Sequence, residues 1–373
     1  MIRQLIARTA ICTACSLGIA HADIVVGQST PLSGAVGDMG KGLMAGARAY
    51  IEAVNAKGGI SGEKLRLVTL DDQYKPDNTV TNTHTLLEKE NALILTSYLG
   101  TATTGELLKS KLLDTNKVAL VGTLTGASNL RESPSNVFHL RASYADEIVR
   151  IVDILKGMGL VDVAVYHESG VFGMGGKEAL EKALTTNKMP LVDAASYDNK
   201  LNDGKPAAVK LAQSRALAIV MISSLKPTVS FVREYRQAGG TAQLFHLSTV
   251  NYENLVKELG PQLAHGIGIA QIAPYFDNTR IAVIREMHDA MKKYTPETKP
   301  SYYTLEGFIN TKVAVEAIRR AGGRSANRAT VLKAMEEMGK VDIGGYTVDF
   351  DRRNQGSRYV ELTMIGADGR LAH

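Results

Sequence analysis

Residues 23–80 read DIVVGQSTPLSGAVGDMGKGLMAGARAYIEAVNAKGGISGEKLRLVTLDDQYKPDNTV. A short apolar strand, Ile24 to Val26, runs into a loop of serine, threonine and glycine. Met39, Leu43, Met44, Ala47, Tyr50, Ile51 and Val54 then recur at helical spacing and define one buried face. Gly58-Gly59 is a helix C-cap signal. Leu65, Leu67, Val68 and Leu70 form a second strand that ends on Asp71-Asp72, and Asp77 caps the next helix. This is one βαβ unit of an open parallel sheet, and such sheets bind ligands at the carboxyl ends of their strands.

The same alternation continues along the rest of the chain. Ala92 to Ser97 predicts a strand, followed by the loop Tyr98 to Gly105 and a helix to Leu113. Val118 to Val121 predicts another, followed by the polar loop Gly122 to Ser128. Phe138 to Ala142 reads as a passage between two lobes. A second set follows: helix 146–158, strand 161–166, loop 167–176, helix 177–187, strand 218–222, helix 228–238, and strands 244–247 and 267–272. Pro274-Tyr275 marks a second passage, helices 279–294 and 304–321 return to the first lobe, and 346–350 with 359–365 read as a closing pair of strands. The units share no sequence, so this is a doubly wound α/β chain rather than a repeat array.

Composition narrows the function. MIRQLIARTAICTACSLGIAHA carries Arg3 and Arg8, no acid, a short apolar core and the small-x-small site Ala20-His21-Ala22. It predicts an export signal cleaved after Ala22, and hence a periplasmic protein. Losing it lowers the formal charge from +5 to +3 and removes Cys12 and Cys15, the only cysteines. The mature chain then has no disulfide or thiolate, and its core must stabilise it unaided. Roughly 350 residues exceeds the usual size of one core, so two lobes are expected. The charges are interspersed and tryptophan is absent, which argues against nucleic acid. Ser223-Ser224-Leu225-Lys226 contains S-x-x-K, but Tyr197-Asp198-Asn199 precedes it and no K-T-G appears. With no G-x-S-x-G, H-E-x-x-H, P-loop or spaced histidines, no enzyme, cofactor or metal is expected.

The opening motif, with GTATTG (100–105), TGASNLR (125–131), YHESGVFGMGGKEAL (166–180), REYRQAGG (233–240) and EAIRRAGG (316–323), resembles the type I periplasmic solute-binding proteins. The nearest branch is the leucine/isoleucine/valine-binding family of ABC transporters. The resemblance implies α/β architecture with two Rossmann-like doubly wound lobes joined by a three-crossover hinge. It divides the chain into residues 23–141 plus 274–344 and residues 142–273 plus 345–373. Crossings are then expected near Ala142-Ser143, Ala273-Pro274 and Gly345-Tyr346. It also implies a monomer that captures a small carboxylate-bearing solute and passes it to a membrane permease, or reports it to a sensory receptor.

Site residues follow from the same resemblance. Tyr98, Gly100, Thr101, Leu124 and Thr125 match the first-lobe site, Gly100 and Leu124 through their backbones. Thr101 and Thr125 would bind a carboxylate with hydroxyls and N–H groups, at a helix start where an anion is favoured. Met39 would lie over the ligand, Phe172 would be an aromatic lid, and Leu225 and Thr249 would complete the second-lobe wall. Asp71-Asp72 is read as loop support. One departure stands out. The family pairs an amino-acid ammonium with an acid in the second lobe, yet His246 to Asn251 has none and Lys226 offers a cation nearby. Glu253 and Glu168 are the remaining acids able to take that place. The alternative solute is an aromatic or aliphatic acid without an amine.

Overall fold

The computed structural model describes residues 23–131, 135–198, 200–201, 203–350 and 354–372, so the predicted export signal lies outside the described residues. The first sheet is built from β1 (Ile24–Thr30), α1 (Gly37–Asn55), β2 (Leu65–Asp71), α2 (Pro76–Glu88) and β3 (Ile94–Leu99). It continues with α3 (Thr101–Ser110), the short α4 (Leu112–Thr115), β4 (Leu120–Leu124) and β5 (Val137–Phe138). Its five strands are parallel in the order β2-β1-β3-β4-β5.

The second sheet begins with α5 (Tyr144–Gly157), β6 (Val163–Glu168), α6 (Val171–Asn187), β7 (Leu191–Tyr197) and α7 (Lys205–Ala212). It continues with β8 (Ala218–Ile222), α8 (Leu225–Gln237), β9 (Gln243–His246), α9 (Tyr252–Leu259), α10 (Pro261–Ala264) and β10 (Gly268–Gln271). Next come α11 (Ala282–Tyr294), α12 (Tyr302–Arg320), α13 (Arg328–Glu336) and the hairpin β11 (Lys340–Asp342) with β12 (Thr347–Asp349). The chain closes on β13 (Glu361–Ile365) and β14 (Leu371–Ala372), giving the order β14-β13-β10-β9-β8-β6-β7. β6 to β10 pair in parallel, and only β13 and β14 run antiparallel.

Three sequence expectations need correction. Asp77 does not cap α2: the helix starts at Pro76 after Lys75, and Asp77 lies in its first turn. The strands at 346–350 and 359–365 do not pair with each other: β12 pairs with β11 and β13 with β10. The division after residue 344 also shifts, because Ile343, Tyr346, Val348 and Phe350 pack in the same core as Val26, Phe138 and Phe308. The chain stays with the first lobe through Phe350 and joins the second sheet at Glu361. Strand β7 and helix α7, unread in the sequence, extend the second sheet at its edge.

Helix α1 faces α12 almost backbone to backbone. A Cβ at Gly46 would stand 2.0 Å from the Thr304 carbonyl oxygen, and one at Gly307 2.1 Å from that of Leu43. Any side chain at either position would force the helices apart, and α1 carries the loop that opens the site. The first crossing, between Phe138 and Tyr144, is held by a buried ionic group. Arg141 hydrogen-bonds through Nη2 to Ser248 Oγ, and it faces Glu147 Oε1 at 3.9 Å and Glu306 Oε1 at 3.6 Å. Ser248 donates its N–H and hydroxyl to Glu147 at 2.7 and 3.0 Å. Arg131, also buried, donates to the carbonyls of Arg141 and Thr125 at 2.9 and 2.8 Å. Burial pushes the Glu147 carboxyl up to about 7, with Arg141 opposing, and raises Glu306 as well. For Arg141, burial works against the charge, but Glu306 and Glu147 outweigh it and the net shift is upward.

Candidate functional site

The strand carboxyl ends of both sheets meet at a cavity of about 120 Å³. From the first lobe come Ala35, Val36 and Met39, Tyr74 after β2, Leu99 at the end of β3, Gly100-Thr101 at the start of α3, and Leu124 at the end of β4. From the second come Tyr144, Glu168 at the end of β6, Phe172, Ser223-Ser224 between β8 and α8, and Thr249. A cavity of roughly 150 Å³ accepts a benzene-sized molecule, so this one suits a small solute.

The first-lobe wall offers donors. Helix α3 starts at Thr101, and the first N–H groups of any helix have no partner within it. The Thr101 and Thr125 hydroxyls lie 2.8 Å apart, and Thr125 Oγ1 accepts from the Ala127 N–H at 3.3 Å. Either hydroxyl can donate to the other; when Thr125 is the donor, the Thr101 proton is left for the cavity. Gly100 N–H does not serve this purpose. It donates to the Leu124 carbonyl at 3.1 Å, so the two backbones expected to face a ligand engage each other.

The second-lobe wall offers acceptors. The Tyr197 hydroxyl accepts from Ser224 N–H at 3.2 Å and is hydrogen-bonded to Glu168, so it donates to that carboxylate. Burial raises the Tyr197 pKa, and Glu168 adds to the effect. Ser223 Oγ lies 2.6 Å from Thr228 Oγ1 and 3.2 Å from His246 Nε2. His246 Nδ1 is 2.7 Å from the Leu247 carbonyl, which can only accept, so Nδ1 holds the proton and Nε2 accepts. Burial depresses His246 to about 4, keeping it neutral. Thr228 donates to the Ser224 carbonyl at 2.7 Å. Either remaining choice sends the Ser223 proton into the protein, so Ser223 has no hydroxyl proton to offer the cavity.

Of the residues expected from sequence, Met39, Gly100, Thr101, Leu124, Phe172 and Thr249 line this cavity, and Thr125 supports it through Thr101. Phe172 sits in the first turn of α6 rather than in a loop, and its ring packs on Tyr144 at 5.2 Å. Tyr98 and Leu225 do not reach the cavity. Tyr98 lies on the opposite face of β3, its hydroxyl 3.0 Å from Thr83, and Leu225 packs against the second-lobe core. Lys226 is exposed, and Glu253 lies beside Ser301 and Tyr302, away from the cavity. Beyond the residues expected from sequence, Ala35, Val36, Tyr74, Leu99, Tyr144, Ser223 and Ser224 also line it. Ser223 and Ser224 directly follow β8, and that place at a strand's carboxyl end is the signal that points to them.

The acidic pair holds the loop as expected. Asp71 accepts from Leu32 N–H, Ser33 Oγ and Gln73 N–H at 2.7–2.9 Å. Asp72, fully buried, accepts from Ser29 and Thr79 hydroxyls and from Tyr74 N–H at 2.9–3.1 Å. Gln73 and Tyr74 have φ of 54° and 60°, a left-handed conformation costing roughly 1–2 kcal/mol for each such residue. Among the described residues no group of three or more His, Cys, Asp or Glu could hold a metal ion, and no helix is long and apolar enough to cross a membrane.

Residues 23–370 match the periplasmic binding protein family model. The Leu/Ile/Val-binding protein homolog 7 of Brucella abortus is 26% identical over 396 residues, covering 100% of this chain and 96% of its own. Homolog 3 of Brucella melitensis is 30% identical over 324 residues, with 85% of this chain and 84% of its own covered. A crystal structure of a substrate-binding periplasmic protein from Ralstonia solanacearum superposes with a TM-score of 0.89 at 35% identity, covering 94% of this chain and 99% of that one. This chain therefore belongs to the periplasmic binding protein family, as a type I member of its leucine/isoleucine/valine branch, an extracytoplasmic group that binds substrates and does not catalyse.

Proposed function

We propose that the protein is the substrate-binding subunit of an ABC uptake transporter. It is exported with its signal cleaved after Ala22 and works as a monomer. It captures a small apolar amino acid in the interlobe cavity and delivers it to a membrane permease. The observation that carries the amino-acid reading is the opposed polarity of the two walls. The N-terminal N–H groups of α3 and the Thr101 hydroxyl stand on one side, and the Glu168 carboxylate on the other. A carboxylate suits the first and an ammonium the second, and a buried ammonium without an anionic partner costs several kcal/mol. Glu168 thus takes the place that the segment His246 to Asn251 leaves empty of acid. Met39, Leu124, Tyr74 and Phe172 supply the apolar surround for a side chain.

Calorimetry with L-valine and L-leucine against isovalerate and isocaproate tests the reading. Binding of the amino acids and not of the plain acids is expected. Glu168→Gln should then weaken amino-acid binding by roughly 10- to 100-fold, the worth of a hydrogen bond to a charged group. Preference for the plain acids would replace this reading with that of a carboxylate binder. Thr101→Val keeps the shape and removes one donor. It should weaken either class of carboxylate by about tenfold, measured in the same titrations.

A further inference from the structure

Tyr74 stands apart from the other cavity residues in how firmly it is held. Its backbone and that of Gln73 adopt the left-handed conformation, and its N–H is fixed to the buried Asp72 carboxylate at 2.9 Å. The ring lies directly on Gly100, where an added Cβ would meet Tyr74 Cε2 at 2.5 Å. It packs beside Val36, Met39, Leu99 and Leu124. The sense of this arrangement is clear from its parts. A left-handed pair at non-glycine residues persists only where the surroundings hold it, and such strain gathers at functional sites. Here it lifts one aromatic ring out of a loop and seats it in the ligand cavity against Gly100, whose φ of 110° itself requires glycine. The ring has no room to tilt toward Gly100 and no slack in its backbone.

We infer that Tyr74 is the size-determining residue of the cavity, a fixed wall that limits how large a ligand side chain the closed lobes can enclose. This rests on the amino-acid reading above and deepens it. Met39 has a flexible side chain that can repack around a ligand. Phe172 belongs to the opposite lobe. Tyr74 alone combines a rigid backbone, a rigid ring and a glycine seat within the first lobe. Removing the ring should leave a ring-sized space bordered by Gly100, Met39 and Leu99.

The test measures ranking rather than affinity. L-Alanine, L-valine, L-leucine and L-phenylalanine are titrated into the wild type, Tyr74→Ala and Tyr74→Phe. The plain acids propionate, isovalerate, isocaproate and hydrocinnamate are titrated in parallel. Tyr74→Ala should raise the affinity for phenylalanine relative to alanine by about tenfold or more, as expected when a pocket gains room for several carbons. Tyr74→Phe keeps the ring and should keep the wild-type ranking whatever it does to absolute affinity. An unmoved ranking in Tyr74→Ala overturns the inference. If only the plain acids bind, the amino-acid reading fails, and the hydrocinnamate-to-propionate ratio decides the role of Tyr74 in its place. If neither series binds any of the three proteins, both ideas fall. Should Tyr74→Ala not fold, Tyr74→Leu, which fills the core side of the ring, is read the same way.

Discussion

Arg141→Met is expected to cost about 3–5 kcal/mol of stability at neutral to mildly alkaline pH, read as a lowered urea midpoint. Arg141 is almost fully buried, and Glu147 and Glu306, both buried, have it as their shared cation. Methionine can fill the stem's volume but cannot answer two carboxylates that are out of water. The loss is distributed across the molecule, because Glu306 lies on α12 of the first lobe, while Glu147 and Ser248 belong to the second. Acid should soften the penalty. Once both carboxyls take up protons, no stranded charge remains, so the same substitution should cost less at about pH 5 than at about pH 8. Combining it with Glu147→Gln and Glu306→Gln should recover much of the loss, since a buried ionic group replaced as a whole is often neutral. An equal penalty at both pH values would mean that packing, not stranded charge, is what Arg141 supplies.

How much of this was legible in the sequence depends on how local the cause is. The unit from Ile24 to Asp72 was readable because helix period, C-cap glycines and strand all lie within about fifty residues of one another and agree. The edge strand Leu191–Tyr197 was not, because its half-exposed residues give no continuous apolar run and α7 behind it spans only 8 residues. The sequence places Phe172 in a loop because three glycines, Gly173, Gly175 and Gly176, mask the helical period. Gly173 is there for a different reason, a Cβ that would meet the Glu168 carbonyl oxygen at 2.0 Å. Tyr98 and Leu99 are neighbours on one strand and so face opposite ways, and a match to a motif does not tell which of them turns to the ligand. Tyr74 could not be found by pattern at all. Its place depends on a left-handed turn tied to Asp72 and on contact with Gly100, 26 positions away in the chain.

The pH dependence of the same hinge group is the other large effect. Burial raises the Glu147 carboxyl from its ordinary 4.5 to about 7, against the opposing pull of Arg141 and of the two hydrogen bonds from Ser248. Glu306 nearby pushes it further up. Between these two values the folded protein holds a proton that the unfolded chain has released. The stability this confers is present in full below about 4.5 and is lost as the pH rises through about 7, which over the whole window amounts to about 3 kcal/mol. His246, depressed to about 4 from 6.5, works in the opposite sense, and its contribution is lost as the pH falls through that range. The wild-type curve alone therefore mixes two opposed slopes. The difference between wild type and Glu147→Gln removes the histidine term, which both proteins share. The two Ser248 donors go to different Glu147 oxygens, and glutamine puts an NH2 at one of those places, a penalty that is the same at every pH. What remains is a stability gap that shifts in favour of Glu147→Gln as the pH is raised from about 5 to about 8, by up to about 3 kcal/mol. Urea titrations across that range give the gap directly. A gap that stays constant, or that moves toward the wild type, would mean that Glu147 is ionised in the folded protein throughout, with Arg141 and Ser248 outweighing its burial.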